Sequence, residues 1–325
     1  MAKLNKAAST AIRVVISASL ITFLIVRNWD NFKMMANHLE SINIALMALA
    51  TFLYFLGIAG MVFRWGILLR AQQMIIHRGF LLQSVMIGFF YNNILPTSVG
   101  GDAYRVYDIY KNKGVPVDRT FSTVVLERSM GTITGAIFLV FSFFFGMYDM
   151  VSFNMLLSLI IILALLILLL AVLIKPYFFK IDRLFEKFAL LRKIRPKVKS
   201  FRDILISYKD KKAYLGVCFV YSVIIQMFII LSYWLVSESL TLNIGLSSFL
   251  FIVPFTSIVA SIPITIGGIG LRENALAFLV ATFGASESQA ALFSFLILFI
   301  ILFNALLGGL TYLGKNVFFK PKGVI

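Results

Sequence analysis

Six apolar stretches of this chain are long enough to cross a lipid bilayer as helices: roughly 10–26 (short, extended by flanking residues), 44–69, 120–147, 151–174, 213–236 and 288–314. A hydrocarbon core about 30 Å thick takes about 20 helical residues to cross. Inside lipid each backbone polar group must be satisfied within its own segment, so the expected class is an all-α integral membrane protein. Composition closes off the soluble alternative. Of 325 residues, 60% are hydrophobic and 33 are Phe, and the mean hydropathy is +0.95. A soluble domain of this length could not hide that much apolar surface. At the N-terminus Lys3, Lys6 and Arg13 precede an apolar run to Val26, as in a signal peptide. No small-residue cleavage site closes the run, so it is expected to stay as the first helix.

Two further apolar stretches, 80–95 and 247–262, are too short to cross comfortably and run straight into Pro-x-x-x-Gly-Gly. Each is expected to be the descending arm of a re-entrant hairpin, since Pro and Gly break helices. The positive-inside rule orients the chain. With the N-terminus in the cytoplasm, the outer loops 27–43, 148–150, 237–246 and 285–287 hold only Arg27 and Lys33 as basic residues. Nearly all the rest fall in 70–79, 103–119, 175–212 and 315–325. This closes only if hairpin 80–118 enters and leaves on the cytoplasmic side and hairpin 247–284 on the outer side. The C-terminus is then cytoplasmic as well. The expectation is six full crossings and two opposed hairpins in an inverted-topology repeat. Its first half is 1–147. Its second half, 148–325, carries the basic cytoplasmic loop 175–212.

The halves share one skeleton. PTSVGGDAYR (Pro96 to Arg105) returns as PITIGGIGLR (Pro263 to Arg272), with starts 167 residues apart. In transporters, Gly/Pro-interrupted segments at matching places in two halves mark the substrate site. Gly100-Gly101 and Gly267-Gly268 would let the chain reverse and expose amide N–H groups, with helices starting near Asp102 and Leu271. Arg105 and Arg272 add forked donors suited to phosphate. Charges at membrane depth are rare and usually functional. The bland alternative is local pairing, Arg105 with Asp102 and Arg272 with Glu273, which would pin the loops. For Glu127 and Arg128, in LERSMG at the opening of the third span, a place at the cytoplasmic interface weighs equally. Asn92 and Asn93, just before the first loop, are expected to line a cavity, and Asn304 to bond a neighbouring helix. Arg64, in VFRWG, is expected to snorkel to the cytoplasmic surface beside Trp65.

Other features narrow the function. Net charge is +16, and thirteen of the 30 Lys/Arg lie between Lys175 and Lys212, against four acids. Between apolar stretches such a cluster points to anionic lipid rather than nucleic acid, as an amphipathic helix on the inner leaflet or a topology anchor. There is no G-x-x-x-x-G-K-[ST], so no nucleotide-driven pump is expected. His38 and His77 have no partner at metal-ligand spacing, and Cys218 stands alone in an apolar run. Neither metal nor cofactor is expected.

The motifs NNILPTSVGGDAYRVY, LERSMG and PITIGGIGLRENAL, in that order and over essentially the whole chain, resemble those of the lysylphosphatidylglycerol synthase transmembrane-region family. That family includes the flippase half of the bifunctional bacterial synthase/flippase, and relatives in archaea associated with dolichol-linked glycosylation. The chain ends at Ile325 without a soluble synthase domain, so the resemblance implies lipid movement without aminoacyl transfer. By the same resemblance Pro96, Gly100, Gly101, Asp102, Arg105, Glu127, Arg128, Pro263, Gly267, Gly268, Arg272 and Glu273 belong to the site, with no catalytic residue among them.

The expected function is therefore a flippase-type transporter of the cell membrane, not an enzyme. Its ligand would be a membrane phospholipid or an isoprenoid-phosphate lipid. A second copy of the chain, or a separate lipid-modifying enzyme, would be its protein partner. Two alternatives stand: a membrane transferase on a lipid-linked phosphate, with Asp102 or Glu127 as base or metal ligand, and a non-catalytic scaffold of an envelope glycolipid machine.

Overall fold

The computed structural model describes residues 2–27, 42–95, 99–144, 206, 208–262 and 264–318. Among them are nine helices and no strand: α1 (Ala2–Arg27), α2 (Ile44–Ala71), α3 (Arg78–Ile94), α4 (Gly100–Lys113), α5 (Val117–Phe143), α6 (Lys212–Ser239), α7 (Leu246–Ser261), α8 (Leu271–Thr282) and α9 (Glu287–Phe318). Four of these, α2, α5, α6 and α9, are long and apolar enough to cross a membrane. The expected span at 151–174 lies outside the described residues. So do Pro96, Pro263 and all of the basic loop 175–212 except 206 and 208–212.

Local chemistry sets the ends of these helices. Asn43 opens α2, its side-chain oxygen accepting from the N–H groups of Ala45 and Leu46 at 3.1 and 3.2 Å, which satisfies donors that a helix start leaves unpaired. His77 opens α3 in the same way, through the Gly79 N–H. Gly114 closes α4 at φ +66°, where a side chain would be strained. The short helices α3 and α7 stop for a shared reason. Leu95 and Ile262, their C-caps, both adopt extended backbone, the conformation imposed on a residue that precedes proline. With 17 and 16 residues, each is about 25 Å long, short of the hydrocarbon thickness.

α2 and α6 lie against each other along their lengths. Gly57 and Gly60 allow this approach, since a Cβ on Gly60 would stand 2.7 Å from the Ile225 side chain. Ser232 on α6 also donates to the Ala50 carbonyl of α2 at 2.8 Å. Two apolar cores flank the centre. One, around Trp65, Leu81, Val85, Ile109 and Val124, joins α2 to α5. The other, around Tyr233, Phe249, Phe251, Leu279 and Phe293, joins α6 to α9 and takes in the end of α5. α9 also packs on α3, where Gly308 meets the Met86 carbonyl. α1 lies on α8 and on the loop before it.

Candidate functional site

A cavity of about 350 Å³ opens between the two cores, and four arginines and two carboxylates line it. Its floor is built from three helices. Glu127, well inside α5 and 3% exposed, accepts from Arg105 of α4 at 2.5 Å through one oxygen and from Arg64 of α2 at 3.2 Å through the other. Arg64 in turn donates to Ser222 of α6 at 3.0 Å. Arg105 lies over the Trp65 ring, its guanidinium carbon 4.0 Å from the ring centroid, which suits a cation that has left water. The Trp65 ring is held in place by its own N–H bond to Thr123 at 3.0 Å.

A second carboxylate continues the chain of charges. Asp102 pairs with Arg105 at 3.5 Å and with Nε of Arg128, whose side chain is 47% exposed at the mouth. Across the cavity Arg272 pairs with its neighbour Glu273, Nε to carboxylate oxygen at 3.0 Å. The other Glu273 oxygen accepts from the Gly270 N–H at 2.6 Å. Buried charges stand only when paired and hydrogen-bonded. Here the pairing leaves donors over: Nε of Arg64 and Nε of Arg105 are buried and meet no hydrogen-bond acceptor among the described residues.

The residues singled out from sequence fall into three groups. Asn92, Asn93, Asp102, Arg105, Glu127, Arg128, Gly267 and Arg272 all line the cavity. Gly100, Gly101, Gly268 and Glu273 are not among its lining residues, and Pro96 and Pro263 are outside the described residues. Both local pairs expected at the arginines are present, Arg105 with Asp102 and Arg272 with Glu273. Glu127 is buried among arginines.

Three expectations need correction. Gly100 and Gly101 do not reverse the chain, because they are the first residues of α4 and neither has a positive φ. Gly101 is required for another reason: a Cβ there would stand 1.8 Å from the Gly88 carbonyl oxygen, so α3 and α4 can cross only at glycine. The amides expected to cradle an anion are partly engaged already, Gly101 N–H by Asn92 Oδ1 at 2.8 Å and Gly270 N–H by Glu273. Finally, Arg64 does not snorkel outward. It is 6% exposed and faces Glu127. Outside the site, Asn304 bonds the Ile300 carbonyl of its own helix and not a neighbour.

The second loop does turn on glycine, with Gly267 at φ +57°, Gly268 at +79° and Gly270 at +87°. Gly267 sits against the main chain of Asn92 and Asn93, where a Cβ would come within 2.9 Å of the Asn92 carbonyl oxygen. The second Gly-Gly turn and the end of α3 therefore meet at the cavity. Arg64, Tyr54 and Tyr233 also line it and were missed from sequence. A signal for Arg64 existed: it is the sole charge of the stretch 44–69, and a lone cation there needs an acid.

Residues 10–309 match the lysylphosphatidylglycerol synthase TM region. The chain belongs to that family. It is similar to the UPF0104 membrane protein MJ1595 of Methanocaldococcus jannaschii, 29% identical over 224 residues, which are 64% of this chain and 66% of that protein. It is also similar to the UPF0104 membrane protein PH1989 of Pyrococcus horikoshii, 24% identical over 301 residues, or 85% and 88% of the two chains. The match to the Methanocaldococcus protein thus spans just under two thirds of that protein's length. The lysylphosphatidylglycerol synthase TM-region family is lipid-related, and the four long apolar helices agree with its membrane setting.

Proposed function

We propose that the protein is a flippase-type lipid transporter of the cell membrane, moving a lipid with an anionic or phosphate-bearing headgroup, aminoacylated or isoprenoid-linked. In this reading six helices cross the bilayer, both termini are cytoplasmic, and hairpins 80–118 and 247–284 enter from opposite faces. The halves 1–147 and 148–325 form an inverted repeat. The observation that carries the proposal is the convergence of Arg64, Arg105, Arg128 and Arg272 on one cavity, at the place where Gly267 of the second loop meets the main chain of Asn92 and Asn93.

Arg105 and Arg272 would hold the phosphate between them, one from each half. Asp102, Glu127 and Glu273 balance their charge while the site is empty, so that an arriving anion exchanges for a carboxylate and does not enter an unpaired cluster. Asn92 and Asn93 offer polar contacts at the same wall. Rocking of one half against the other around this fixed site would give alternating access. The lipid gradient, the membrane potential or protons would drive it.

The test is translocation in proteoliposomes of labelled phosphatidylglycerol, its aminoacylated form and a polyprenyl-phosphate sugar. Wild type is expected to move one class. Arg105→Ala combined with Arg272→Ala is expected to reduce that movement by about tenfold or more, since truncating buried charge pairs costs at least that factor. Folded wild type that moves none of the three would overturn the proposal.

A further inference from the structure

We infer that Tyr54 and Tyr233 form a second polar subsite of the cavity, one that reads hydroxyl groups on the part of the headgroup beyond the phosphate. This rests on the transport-site reading above and names the substrate class within it: a lipid phosphodiester whose head carries free hydroxyls.

The cavity has two poles. α2 and α6 run antiparallel, so that Arg64 meets Ser222 towards one end of their contact and Ala50 meets Ser232 towards the other. Tyr54 precedes Arg64 by ten residues on α2, a rise of about 15 Å. Tyr233 follows Ser222 on α6 by a similar span. Both tyrosines line the same cavity as Arg64. The network of Arg64, Glu127 and Arg105 therefore occupies one pole. Tyr54, Tyr233 and Arg272, within electrostatic reach of one another, occupy the second.

The phenol groups at the second pole are held in place and unused. Tyr54 packs edge-on against Phe89, with ring centroids 6.2 Å apart, and Tyr233 against Phe293 at 6.4 Å. Tyr233 is 5% exposed, yet neither hydroxyl makes a hydrogen bond among the described residues. A buried Tyr hydroxyl ordinarily finds a partner. This pair stands ready to donate to an occupant and to accept from it. Ser257, also on the cavity wall, donates its own hydroxyl to the Val253 carbonyl at 2.8 Å and keeps lone pairs to accept with.

A neutral hydroxyl suits this pole better than an ammonium. A phenol both donates and accepts, as an alcohol does, whereas an ammonium only donates and needs an acid beside it. Among the described residues the acids lining the cavity are Asp102 and Glu127, and both are bound to Arg105 at the other pole. Arg272, beside the tyrosines, repels a further cation. With the phosphate drawn between Arg105 and Arg272, the group attached to it comes against the wall of Tyr54 and Tyr233. A site that hydrogen-bonds a substrate hydroxyl rejects the analogue lacking it, because its own buried polar groups are then left unpaired.

Calorimetric binding to the full-length protein in an uncharged detergent tests this directly. The probes are the dihexanoyl forms of phosphatidylglycerol, phosphatidylpropanol and phosphatidylethanolamine. The first two share one charge and one three-carbon head and differ only in the hydroxyls. Phosphatidylglycerol is expected to bind about tenfold tighter than either of the others. Tyr54→Phe combined with Tyr233→Phe is expected to erase that preference and to leave the affinity for phosphatidylpropanol unchanged. The variant should unfold no earlier than wild type, since the empty protein loses no hydrogen bond. Equal binding of phosphatidylglycerol and phosphatidylpropanol, tightest binding of phosphatidylethanolamine, or no binding of any probe would each overturn the inference. So would a preference unmoved in the folded double variant. An equal loss for both phosphodiesters would place the phenols on the phosphate and overturn it as well.

Deacylated glycerophosphoglycerol separates the sources. Binding much weaker than the lipid form assigns the subsite to a lipid headgroup. Equal binding assigns it to a soluble phosphodiester and overturns the lipid part of the inference. Hydroxyl-dependent binding without translocation would keep the inference and remove the flippase reading. Translocation of phosphatidylpropanol as fast as phosphatidylglycerol would do the reverse.

Discussion

Gly100-Gly101 and Gly267-Gly268 hold the same place in two copies of one skeleton, yet they solve different problems. The first pair lies inside a helix, and Gly101 is small so that α4 can cross α3 against the Gly88 carbonyl. The second pair is a turn, with both residues at positive φ. The arginines that follow differ as well. Arg105 is held by a carboxylate from another helix and lies over an indole ring. Arg272 is held by the residue next to it. The first copy thus carries a tertiary network of charges, while the second carries a loop with one locally anchored cation. Likeness of spelling preserved the position of the arginine, and left its surroundings free to diverge.

The largest test of this contrast is Glu127→Ala. It leaves Arg64 and Arg105 buried without their shared acid and is expected to cost about 3–5 kcal/mol, read as a fall in the unfolding midpoint in detergent. A loss below about 1 kcal/mol would mean that the network does not hold the first copy together. Next comes Gly101→Ala, expected to cost about 3 kcal/mol because a main-chain crossing has to open. Gly268→Ala is expected to cost less, about 1–3 kcal/mol, since its Cβ faces chiefly the Ala260 methyl group and adds strain at a positive φ. If the order is reversed, the assignment of crossing and turn is wrong.

A finer measurement is a pair of double-mutant cycles. Arg105 with Glu127 is expected to couple by about 2 kcal/mol and Arg272 with Glu273 by about 1 kcal/mol. Adjacent residues keep part of their interaction in the unfolded chain; equal coupling energies would dissolve the distinction. The smallest effect is expected from Ser17→Ala. It removes the acceptor of the Ile266 N–H, now at 2.9 Å, and should cost about 1 kcal/mol. Faster hydrogen exchange at Ile266, with α3 and α4 unchanged, would locate the effect in the second loop. Unchanged exchange there would show that α1 does not steady it.

Much of the fold was legible because hydropathy and proline act locally. The stretches 44–69, 213–236 and 288–314 lie within α2, α6 and α9, and both short arms end at the residue before proline. The site was legible where a polar residue interrupts an apolar run next to glycine, as at Asn92, Asp102, Arg105 and Arg272. It was not legible where partners come from afar. Arg64 near the end of its span, beside a Trp, has the pattern of a snorkelling cation, and only the approach of Glu127 turns it inward. Nor does sequence distinguish a glycine needed for its φ from one needed for its size, which is why the two pairs looked equivalent.

Asp108 on α4 has a consequence for how such a chain is made. Its carboxylate is 4% exposed and binds Lys315 of α9 at 2.6 and 2.7 Å, across 207 residues of sequence. Nearby, Gly308 closes on α3. During synthesis the α3–α4 pair therefore leaves the ribosome long before its counter-ion and its packing partner exist. This early-made pair is among the last parts of the fold to be completed, and Asp108 spends the interval as an acid awaiting its base.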